Sequence, residues 1–152
     1  MENQSNKFVL KEVKMHFSFL FDMGYRVRSV DYRPQESGNW LVTLESDKCL
    51  LEINKDRNEV MVYFIPLSGN ENYRIGLKAM IYFLSQGKEL IEPFKGNLFW
   101  GMRKQYKELA ELLGIYHDRI VPFFGIDFVD YMKDLLYAER NYFMKIVKTI
   151  KE

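Results

Sequence analysis

Of the side chains in this sequence that could act as acid, base, nucleophile or ligand, Glu139 has the most unusual setting. It lies within LLYAERNYFMKIV (135–147), the most apolar helical stretch of the chain, where the repeat asks for a hydrophobe. At 100° steps, Val129, Met132, Leu136, Phe143, Val147 and Ile150 line one edge of an apolar arc. Phe128, Tyr131, Leu135, Ala138, Tyr142 and Ile146 line the other, and Glu139 projects between them. A buried, unpaired carboxylate costs several kcal/mol or takes up a proton. Three roles therefore stand open for Glu139: a salt bridge or hydrogen bond to a Tyr, Arg or His, a polar registry contact toward another subunit or protein, or catalysis. Catalysis needs further groups in reach, and the sequence offers few. His16 falls on the apolar side of the first helix, where a lone histidine is usually a hydrogen-bonded core residue. His117 and Asp118, adjacent in YHDRI, cannot alone build a nucleophile–base–orienter geometry. Cys49 is the only cysteine, which rules out an intramolecular disulfide and a four-cysteine zinc site. No G-x-S-x-G, H-E-x-x-H, phosphate-binding Gly-rich loop or Cys-His spacing occurs. No catalytic set, metal site or cofactor is expected.

The elements that must position these residues can be read from periodicity. KFVLKEVKMHFSFLFDM (7–23) reads as a helix stopped by Gly24, apolar over so much of its circumference that it asks for cover on two sides. Strands follow at 25–33, 40–46, 49–54 and 59–67. In the first of these, Val27, Val30 and Tyr32 slip phase as a bulge would make them. Links of two to five residues force an antiparallel meander. Helices are expected at 73–88, at 101–114 with a stop at Gly114, and at 126–150. Loops are expected at 91–100 and across IYHDRIVPFFG (115–125). The expected architecture is a single α+β domain over 1–152: an N-terminal helix, a meander of about four strands, then about three C-terminal helices on one face.

Length, at 152 residues, suffices for a core without metal or disulfide. Lys and Arg number 22 against 21 Asp and Glu, so no charge excess steers the chain toward phosphate or anionic lipid. Arg26, Arg28 and Arg33 beside Tyr25 and Tyr32 could contact nucleic acid, but Asp31 interrupts them. A charge-protected edge strand explains them at less cost. The first residues carry no secretory pattern and no run of 18 apolar residues occurs, so a reducing cytoplasm is the expected compartment.

Aromatics make up 16% of the chain, more surface than one small core hides, which points to a partner or homodimer interface. Phe99 and Trp100 in NLFWGM, His117 in its connector and Glu139 are the candidate contacts. The alternative is a small-ligand pocket, or an enzyme site, lined by Glu139, His16 and nearby tyrosines. That alternative requires a cavity with Glu139 inside it.

The order of an aromatic helix (FSFLFDMGY), strands, and an Asp56-Arg57…Glu59-Val60 turn resembles small bacterial α+β proteins with an F-x-F-L…G-Y/F helix and a D-R-x-x-E-V turn. Some of these are immunity- or antitoxin-like and bind a partner protein. The resemblance covers about the first 65 residues, and the turn here is one residue shorter between Arg57 and Glu59. It implies partner binding and no catalytic residues.

Overall fold

The computed structural model describes residues 4–92 and 101–151. Phe99 and Trp100, in the expected loop, lie outside the described residues.

The first helical run is two helices, α1 (Gln4–His16) and α2 (Ser18–Asp22), rather than one. Phe17 separates them with φ −128° and ψ 31°. The break turns its ring into the core, edge-on to Tyr106 at 6.0 Å. Val9, Val13, Phe17 and Leu20 are fully buried. Cover comes from one side only, however: Phe8 and Met15 are 57% and 60% exposed, against the expectation of burial on two sides. Gly24, at φ +101°, ends α2 as expected. Its N–H donates to Phe21 O and that of Tyr25 to Leu20 O, the paired bonds of a Schellman stop.

Five antiparallel strands follow in the order β1 (Arg26–Arg33), β2 (Asn39–Glu45), β3 (Leu50–Asp56), β4 (Glu59–Ile65), β5 (Ile75–Gly76). The bulge falls where the phase slip predicts it, between Val27 and Ser29. It takes up Arg28, so Val27, Val30 and Tyr32 stay on one face opposite Leu44, Val42 and Trp40. That face continues through Leu51 and Ile53 to Phe64 and Val62, and the helices pack on it. Strand β5, where a helix was expected from residue 73, pairs Gly76 with Tyr63 and Ile75 with Phe64. Two residues are too short for any alternation to show in sequence.

Helix α3 (Leu77–Leu84) begins at Gly76, whose extended φ −65°, ψ 147° serve as its N-cap. Helix α4 (Gly101–Ile120) runs through Gly114 instead of stopping there. Its buried positions Leu109, Leu113, His117 and Ile120 keep helical spacing across the glycine, so packing outweighs the roughly 1 kcal/mol propensity cost. The expected connector is therefore mostly helix, closed by a 3-10 turn over Val121–Phe124 that carries Pro122. Helix α5 (Phe128–Lys151) completes the chain. One hydrophobic cluster joins residues of the sheet and all five α-helices. Among the described residues no helix is long and apolar enough to cross a membrane.

Candidate functional site

Among the described residues Glu139 pairs with no tyrosine, arginine or histidine side chain. Its Oε2 accepts the backbone N–H of Gly76 at 3.1 Å, tying the middle of α5 to β5. Partial burial raises its pKa above the ordinary 4.5, opposed by the Gly76 hydrogen bond and the nearby Arg74 charge. Arg74 itself donates to Glu52 Oε2 at 2.8 Å and lies 4.6 Å over the Tyr63 ring. Glu52 is 1% exposed on the sheet face away from the helices, and Arg74 neutralises it there. These groups fix a chain reversal: residues 66–74 cross from β4 to β5, and Arg74 and Gly76 anchor the arriving end.

Beside this anchor, a groove opens at the β4 edge that two-residue β5 leaves uncovered. Its volume is about 160 Å³, and its walls include Val60, Val62, Tyr63, Leu77, Leu109 and Phe143. Glu139 is not one of its walls. At the far end the open strand edge is capped by Gln105. Its Oε1 accepts the Val60 N–H at 2.8 Å and its Nε2 donates to Asn58 O at 2.6 Å. A single side-chain amide thus stands in for the missing strand residue. Nothing in the local sequence marks Gln105, because its partners are backbone groups 45 and 47 positions away.

His117 is buried on α4 rather than displayed on a connector. Nε2 lies 2.7 Å from the Tyr25 hydroxyl and Nδ1 2.9 Å from Asp118 Oδ1, while the same hydroxyl is 3.2 Å from Cys49 Sγ. An Asp–His–Tyr–Cys line looks like a nucleophile relay. Burial, however, pushes the Cys49 thiol up to about 11 and the Tyr25 hydroxyl well above its usual range. At neutral pH both keep their protons, and none of Tyr25, Cys49 or His117 borders the β4-edge groove. The line serves to satisfy buried polar atoms. His16 stacks on Tyr106, centroids 4.0 Å apart, with Glu12 at 3.6 Å. The two histidines and Glu139 are thus held by separate neighbours. Among the described residues no cluster of three His, Cys, Asp or Glu side chains could hold a metal.

Two of the three β1 arginines are engaged by carboxylates, Arg26 by Glu45 at 3.2 Å and Arg33 by Asp31 at 2.9 Å. Their strand is an outer edge of the sheet.

An exposed apolar feature lies on α5. Phe128, Leu135, Tyr142 and Ile146 are buried, whereas Val129, Leu136, Phe143 and Val147 are 74%, 36%, 49% and 49% exposed. The first edge packs on the protein except at Tyr131, which is exposed, and the second faces solvent except at Met132, which is half-buried against the core. Phe143 joins this outer strip to the groove wall. No protein-family model matches the chain, and no curated protein or solved structure matches it significantly.

Proposed function

We propose that the chain is a non-catalytic protein-interaction module that binds its partner through the outer strip of α5. The observation that carries this reading is the side-by-side arrangement of a buried and an exposed apolar edge on one long helix. Scattered exposed hydrophobes need no explanation, but a contiguous strip marks a contact surface. The resemblance of about the first 65 residues to small bacterial α+β proteins, some of them immunity- or antitoxin-like, points the same way, so neutralising a partner protein in a reducing cytoplasm is the role it suggests.

The alternative of a ligand pocket around Glu139 has less support. That carboxylate is occupied by Gly76, and the neighbouring groove is walled by other residues. The test is to replace exposed Tyr137, beside the strip, with the photo-cross-linker p-benzoylphenylalanine in the cells that make the protein. A discrete protein adduct on irradiation is the expected result. Its absence, with an adduct instead from a control position on β1, would move the contact elsewhere.

A further inference from the structure

The strip has a repeat and a charge pattern. Val129, Leu136 and Phe143 recur every seven residues, as do Lys133 and Arg140 one helical turn further on. Seven residues are two turns less about 20°, so both sets hold one side of the helix. Lys133 and Arg140 are exposed, and among the described residues neither makes an ion pair. On the other side of the strip, Glu139 is already turned inward to Gly76. The exposed surface is thus an apolar seam flanked by two unpaired cations. From Val129 to Val147 it runs about 27 Å at 1.5 Å per residue.

Resting on the proposed interaction surface, we propose that its occupant is a partner helix with an apolar seam at heptad spacing and acidic residues flanking that seam. Apolar residues every seven positions supply one of the two seam positions per heptad through which helices interlock side chains, and charges beside the seam select the partner. A second copy fits poorly. Antiparallel pairing that sets Leu136 against Phe143 has its two-fold axis between residues 139 and 140, which brings the two Arg140 side chains together. Parallel pairing sets Lys133 and Arg140 across from the opposite flank of the second copy, where Leu135 and Tyr142 are buried and offer no acidic group. An anionic membrane gains little from a chain with a net charge of +1.

The probe is a labelled three-heptad peptide with leucine at the seam and glutamate at the flanking positions, titrated with the full chain. Its counterpart carries lysine at the same flanks. The acidic peptide is expected to bind at least ~10-fold tighter than the basic one at low salt, and the preference should shrink as salt screens it. Exchanging the cations, K133E with R140E, should reverse the preference without loss of helical circular dichroism. Equal affinity for the two peptides, or binding of neither, would overturn the acidic helix. So would a chain that sediments as a dimer and becomes monomeric on Leu136→Asp, although α5 would then still be the interaction surface. Binding to phosphatidylserine vesicles without peptide binding would overturn it as well.

Discussion

Glu139 shows how a carboxylate can sit in an apolar arc with a backbone amide as its hydrogen-bond partner. Its backbone hydrogen bond and the Arg74 charge offset part of the cost of burial, and the pKa stays raised because burial outweighs them. A carboxyl whose folded pKa is raised holds its proton more tightly in the folded state. It therefore costs stability as pH rises from the unfolded value, near 4.5, through the folded one, and that cost persists above it. Glu139→Gln keeps an acceptor for the Gly76 amide and removes this cost. Urea unfolding across pH 3.5–8 should show the variant gaining on the wild type as pH rises, with the gain vanishing at the acid end. Gln105 has the opposite character, since both its bonds satisfy main-chain groups at a sheet edge. Gln105→Ala should destabilise by about 2 kcal/mol in the same measurement, the cost of leaving buried backbone groups unpaired. The setting of Glu139 was legible from helical spacing, but its partner was not, because a backbone amide 63 residues away leaves no mark on local sequence.

At the scale of elements, the informative signals were those that a single segment contains. The 27–30–32 slip in β1 announced its bulge, and FDMGY announced the stop at Gly24. Signals that depend on what lies opposite were misleading. Gly114 looks like a helix end, yet the helix continues because Leu113 and His117 are buried on either side of it. A Cβ added at Gly114 meets nothing within 4 Å, and its backbone is helical. Gly114→Ala should therefore stabilise the chain by about 0.5–1 kcal/mol, seen as a higher urea midpoint with an unchanged slope. The continued helix also explains why His117 left the surface on which the sequence placed it. Its neighbour Cys49, held protonated in the interior, should react with a thiol reagent only as fast as the chain unfolds.

At the scale of the whole molecule, the aromatic excess divides between two destinations. Phe17, Phe64 and Phe124 fill the core, and Phe8, Tyr137 and Phe143 remain outside it. Composition alone indicated more aromatic surface than one core can hide, but it could not say which helix would carry the surplus. That depends on how α5 rolls against α3 and β5, and the roll is fixed by the burial of Leu135, Tyr142 and Ile146 together with the Glu139–Gly76 bond. In the proposed function the outer strip serves contact rather than folding. The most direct measurement is the photo-cross-linked adduct from position 137 in the wild-type background and in Leu136→Asp/Phe143→Asp, alongside the urea midpoint of each. An adduct is expected in the first and none in the second, with unfolding free energies within about 1 kcal/mol. An unfolded double variant, or an adduct that survives the two aspartates, would contradict a contact role for the strip.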